Sequence, residues 1–179
     1  MMRKYGSATS ARYTMKHGAE VVIRPICPAD EPLLIAFHQT LSEKSVFMRY
    51  FHLLALSQRV DHERLKRICC LDDDREITLV ADHADPATGL HVISAVGRLM
   101  KLHDTDAAEF ALLVSDNFQR CGLGAELLRR LIAIGREERL GRIVADILPE
   151  NTGMLHICQQ LGFQLKHVMR GPIKAELTL

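Results

Sequence analysis

Between a hydrophobic strand and an amphipathic helix the chain reads Val114-Ser115-Asp116-Asn117-Phe118-Gln119-Arg120-Cys121-Gly122-Leu123-Gly124-Ala125, and this junction restricts the fold more than any other segment. Upstream, Ala108–Val114 (A-E-F-A-L-L-V) is the apolar run of a buried strand. Downstream, Leu123, Leu127, Leu128, Leu131 and Ile134 form one stripe of a helix over Gly122–Arg139, with Glu126, Arg129, Arg130, Arg136 and Glu137 elsewhere. Two glycines one residue apart let the backbone approach a ligand with no Cβ in the way. The N–H groups of a helix start favour negative charge, so a pyrophosphate is the natural guest. A dinucleotide fold needs a third glycine at position 127, where this chain has Leu127, so that reading is excluded. Taken alone, the glycines equally suit a tight strand-to-helix turn that holds nothing.

Around this junction the hydrophobic period alternates between strand and helix. Strands are expected from Arg12, over Glu20–Arg24, Ile77–Ala81 and His91–Leu102, then Ala108–Val114, Arg142–Ile147, Gln164–Met169 and Ile173–Leu179. Helices are expected near Glu31–Leu41 with Asp30 as cap, from Ser42 through Phe51, over Ser57–Cys69, and from Asn151 to Leu161 with Gly162 as stop. Gly141 is expected to end the Gly122–Arg139 helix. A hairpin at His103-Asp104-Thr105-Asp106 makes the sheet at least partly antiparallel, and the element order is that of a mixed α/β or α+β fold.

Composition narrows the function. The 179 residues suit one domain, and 47% hydrophobic with 25% charged residues excludes a disordered chain. Lys plus Arg number 23 against 22 acids, a balance that argues against a nucleic-acid binder. Arg3, Lys4, Arg12 and Lys16 precede the first acid, Glu20, and residues 1–11 read as a flexible basic tail; no amphipathic apolar face makes the start a transit peptide. No apolar run reaches the ~20 residues of a membrane span. The five cysteines (Cys27, Cys69, Cys70, Cys121, Cys158) contain no C-x-x-C, and the nine histidines no H-E-x-x-H, so no metal site is expected. Dispersed thiols fit a reducing, cytoplasmic setting, with the protein as monomer or homodimer.

Gln-x-x-Gly-x-Gly/Ala after a hydrophobic strand resembles the acetyl-coenzyme A loop of the GNAT N-acetyltransferases. Asn151-Thr152-Gly153-Met154, ending in Leu161-Gly162-Phe163, resembles that superfamily's second motif. Val22-Ile23-Arg24-Pro25-Ile26, Asp30-Glu31-Pro32-Leu33-Leu34, Arg49-Tyr50-Phe51, Asp74-Arg75-Glu76 and Ala108-Glu109-Phe110-Ala111 are similar to the catalytic domain of bacterial Pat-type protein lysine acetyltransferases. The resemblance implies a mixed, largely antiparallel GNAT sheet flanked by helices, acetyl-CoA as co-substrate and an amine, the ε-amine of a protein lysine, as acceptor. It implies main-chain contacts to pantetheine at Leu112, Leu113 and Val114. The pyrophosphate falls on the backbone of Gln119, Arg120, Cys121, Gly122, Leu123, Gly124 and Ala125, and Asn151 touches the cofactor.

Glu109 is the residue suited to proton transfer. An amine of pKa about 10.4 is only about 0.04% neutral at pH 7, and a carboxylate beside it removes the proton as attack proceeds. The resemblance puts the family's glutamate base at this position; an exposed strand glutamate is the plain alternative. Many GNAT enzymes carry a tyrosine acid seven residues after the motif asparagine, where this chain has Cys158. Two roles stand open for Cys158, proton donor to the leaving thiolate or small packing residue. Asp72-Asp73-Asp74 reads as a solvated turn or as an acidic lure for a cationic acceptor. Two rival functions remain: transfer to a small amine or amino acid, and a non-catalytic acyl-CoA sensor, which has no need of Glu109.

Overall fold

The computed structural model describes residues 10–70 and 75–179. One sheet runs through eight strands: β1 (Ala11–Thr14), β2 (Glu20–Pro25), β3 (Glu76–Ala84), β4 (His91–Lys101), β5 (Ala107–Val114), β6 (Arg142–Ile147), β7 (Gln164–Lys166) and β8 (Ile173–Thr178), in the order β1-β2-β3-β4-β5-β6-β8-β7. Every pair is antiparallel except β5 with β6. The helices are α1 (Glu31–Gln39), α2 (Glu43–Tyr50), α3 (Leu56–Arg59), α4 (His62–Cys69), α5 (Leu123–Glu137) and α6 (Thr152–Gln160).

Successive strand residues point to opposite faces, so the central strands feed two cores. Leu79, Leu99, Phe110, Leu112 and Ile143 meet α5 and α6 through Leu127, Leu131 and Cys158. On the other face Val80 and Ile93 pack with Leu34 and Phe37 of α1, Val46 of α2 and Leu65 of α4. Burial on both faces explains why β3 and β5 read as nearly unbroken apolar runs.

The single parallel pair positions the site. β5 and β6 pair only at Ala107↔Arg142, Ala108↔Ile143 and Glu109↔Val144. β4 stays paired with β5 as far as Ala95↔Val114. From Phe110 to Val114, the edge of β5 that faces β6 therefore has no ladder partner, and a wedge opens between the two strands.

Several expected boundaries move. Ser57–Cys69 is two helices, because the Asp61 carboxylate accepts the Arg64 N–H at 3.0 Å and starts a new helix inside the run. Arg139 (φ 57), not Gly141, takes the left-handed conformation after α5. At Gly141 a Cβ would meet the exposed Asp106 carboxylate, which would have to swing aside, and the Asp106 carbonyl accepts the Gly141 N–H at 2.8 Å. Asp30 stands at the start of α1 without capping it. Its carboxylate turns back to the Cys27 N–H at 2.8 Å and to Arg24. Ala11, counted with the tail, opens β1 opposite Ile23, and β7 stops at Lys166 rather than Met169.

Candidate active site

The loop from β5 to α5 reverses the chain with two left-handed residues, Arg120 (φ 62) and Gly122 (φ 92). Only glycine fits at 122, since a Cβ would also run into the Tyr13 hydroxyl. The first helical bond of α5 is Glu126 N–H to Gly122 O at 3.1 Å, so the N–H groups of Leu123, Gly124 and Ala125 precede the ladder and face the loop's mouth. Gly124 lies where β5 ends against α6: a Cβ there would sit 3.4 Å from Ile157 and 3.7 Å from Val114. The backbone can thus cradle an anion at the head of the wedge.

Two braces hold this loop, neither of them visible in the local motif. From the N-terminal hairpin, Lys16 N–H donates to Cys121 O at 3.1 Å, and the buried Cys121 thiol lies 3.5 Å from Met15 Sδ and 2.6 Å from Phe118 O. Cys121 therefore has only its main chain to offer a ligand. From α2, the Gln119 amide donates to Ser45 Oγ at 3.0 Å and to Val114 O at 3.2 Å. Asp116 accepts from Ser42 N–H, Ser42 Oγ and Ser45 Oγ at 2.9, 2.7 and 2.9 Å. Burial works against the Asp116 charge, but these donors outweigh it and hold its carboxyl below the usual range. The partners of each brace are at least 70 residues apart in sequence, with a closing pair such as Ser45 and Gln119 separated by 74 positions.

Glu109 occupies the last paired rung before β5 and β6 part. It is half-buried on the face away from α5, and its carboxylate has no hydrogen bond or ion pair among the described residues. The register places Glu76, Met100, Glu109, Val144 and Glu176 in one row across the sheet. Arg98 pairs with Glu76. Arg49 of α2 lies in the field of Glu109; burial lowers its pKa, Tyr50 and Glu109 oppose that, and Arg98 and Arg64 add to it.

The remaining expected residues are spread around the wedge. Leu112 and Leu113 send side chains into opposite cores, so only their main chain faces the gap. Asn151 caps α6 by accepting the Met154 N–H at 3.3 Å. Cys158 is 0% exposed inside the α5–α6 core, and burial pushes its thiol up to about 12. The acidic run Asp72-Asp73-Asp74 lies outside the described residues. Among the described residues no group of three or more His, Cys, Asp or Glu could hold a metal, and no helix is long and apolar enough to cross a membrane.

The family model for the acetyltransferase (GNAT) domain matches residues 20–164. The structure is similar to the GNAT domain of S. lividans PAT, with 25% identity, 98% of this chain and 100% of that one covered, and a TM-score of 0.85. It shares its fold with the PaiA N-acetyltransferase from Thermoplasma acidophilum in complex with coenzyme A (15% identity, 89% and 99% covered, TM-score 0.69). It also shares it with a cAMP-binding acyltransferase from Mycobacterium smegmatis (19% identity, 95% of this chain but 47% of that one, TM-score 0.62). The chain belongs to the GNAT acetyltransferase family. It is an acetyl-CoA-dependent N-acetyltransferase, moving an acetyl group to an amine.

Proposed function

We propose that the acceptor is the ε-amine of a protein lysine and that Glu109 takes its proton. The observation that carries this reading is the placement of an unpaired, half-buried carboxylate on the last rung before the wedge. A thioester lying in the wedge would have its pantetheine bonded, strand-fashion, to the free edge of Leu112, Leu113 and Val114. Its pyrophosphate would rest on the N–H groups from Gln119 to Ala125. An amine entering from the α2 face would then meet Glu109 and the acyl carbon together and attack directly. Asn151 keeps its amide N–H₂ for the cofactor while its oxygen caps α6. Cys158 serves packing, since a side chain with no exposed surface has no path to the leaving sulfur.

A lysine acceptor is supported by the Pat-type motifs and by the similarity to the GNAT domain of S. lividans PAT. The test is mass-spectrometric detection of acetyl transfer to acyl-CoA-synthetase-type proteins beside a panel of small amines. Acetylated protein lysines are expected. Activity confined to small amines overturns the acceptor, and no transfer to any amine favours a sensor.

A further inference from the structure

The motif Arg49-Tyr50-Phe51 has no part in the transfer chemistry described above, yet its Arg49 lies in the field of Glu109. Two guanidiniums lie against the Tyr50 ring, with Arg49 Cζ 5.1 Å and Arg64 Cζ 5.3 Å from its centroid. Neither side chain has a hydrogen bond or a carboxylate within 4 Å among the described residues, and Arg64 Nε is out of solvent with no acceptor. Their neighbours do not supply the missing charge. Arg98 is bound to Glu76, so three guanidiniums on this face stand against two carboxylates, Glu76 and Glu109. Arg59, next along the same layer, spends its guanidinium on the carbonyls of Leu54 and His38.

A half-buried cation without a counter-ion costs free energy in the folded protein, and two of them against one ring repel each other. Such an arrangement is stabilised when a ligand brings the anion. The guanidinium fork matches a carboxylate, and the site is next to the place where the acceptor's amine must stand. We infer that Arg49 and Arg64, both within about 5 Å of the Tyr50 ring centroid, form a binding site for a carboxylate carried by the acceptor a few atoms from its reacting amine. This rests on the reading of Glu109 as the base that marks the amine's position. The carboxylate has two sources, an acidic residue beside the target lysine or the α-carboxylate of a free amino acid.

Two acceptor pairs and one binding measurement test it. The first pair is a lysine pentapeptide with Glu next to the lysine and its Gln counterpart; the second is free lysine and cadaverine. At saturating acetyl-CoA, the wild type is expected to favour the carboxylate member of at least one pair by about tenfold or more in kcat/KM, mainly through KM. Arg49→Met should bring that pair to within about twofold, and Arg49→Lys should restore part of the gap. Preference in the peptide pair assigns the source to a protein; preference in the lysine pair alone assigns it to a free amino acid. In parallel, the Arg49 and Arg64 Nε–H resonances are followed while glutarate is added at constant ionic strength, and both should shift. The inference is overturned if neither pair shows a preference, if the preference survives in Arg49→Met, or if the two resonances stay still. If no acceptor is acetylated, the lysine reading fails, and the glutarate titration alone decides the carboxylate site.

Discussion

Glu109 and Cys158 show how one residue's surroundings decide its chemistry. Glu109 stands at the end of a three-rung parallel ladder, half-buried and without a partner among the described residues, where a neutral amine is hard to supply at pH 7. Glu109→Gln keeps the shape and removes the proposed acceptor of the proton. It should lower kcat by about 10²–10⁴ at neutral pH with coenzyme A affinity intact, and the deficit should narrow toward pH 10 as free amine becomes plentiful. A variant with wild-type kcat at pH 7 removes Glu109 from the mechanism. Cys158 is the opposite case. Its thiol is pushed up to about 12 by burial in a core with no exposed surface, and coenzyme A leaves as a thiolate that needs little help from an acid. Cys158→Ala should cost about 1 kcal/mol of stability from the small cavity and leave most of kcat. A hundredfold loss of kcat, with fold and cofactor affinity intact, restores the cysteine as proton donor.

At the scale of elements, the loop between β5 and α5 was legible from the sequence and its supports were not. Gln119-x-x-Gly122-x-Gly124 marks the turn, since a left-handed residue and an open helix start each require a local residue type. The braces from Met15 and Lys16, and from Ser42 and Ser45, join positions remote in sequence, and ordinary serines, a lysine and a methionine carry no spacing signal. The same limit explains the misplaced stops. Gly141 reads as a helix terminator, whereas in the structure it lies beyond the left-handed Arg139 and bonds through its N–H to the Asp106 carbonyl. The parting of β5 from β6 was also invisible, because strand pairing ends through tertiary geometry and not through any residue in Phe110–Val114. Gly124→Val tests the loop. A Cβ there meets Ile157 and Val114 at ordinary contact distance, so the fold should survive, while the added methyls crowd the space between Val114 and Ile157 at the head of the wedge. Coenzyme A affinity should fall by more than about tenfold, from loss of the close backbone approach to phosphate. Unchanged affinity by calorimetry puts the pyrophosphate elsewhere.

For the whole molecule, the layer of α1, α2 and α4 must stay docked on the sheet for Glu109, Arg49 and the Asp116 brace to share one site, and His38 links that docking to pH. His38 is 5% exposed, with Nδ1 lacking a partner, and it sits among Phe37 of its own helix and the charges of Arg59 and Arg64. Burial, then the Arg59 and Arg64 charges, lowers its pKa to about 4. A histidine whose folded pKa is depressed stabilises the protein fully above its unfolded value, near 6.5. That contribution is lost as pH falls, because the unfolded chain takes up a proton that the folded chain refuses. The loss accumulates from about pH 7 and levels off near the folded pKa of about 4. Between pH 7.5 and pH 5 this single group should remove about 2 kcal/mol of unfolding free energy. His38→Gln cannot titrate, so the difference between the two stability curves isolates the histidine from the other ionisable groups. Urea unfolding at both pH values should show the wild type losing about 2 kcal/mol more than the variant over that interval. Parallel curves would mean that His38 takes up its proton in the folded state as readily as in the unfolded one. His38 would then add no acid-sensitive joint to the helical layer beside the site.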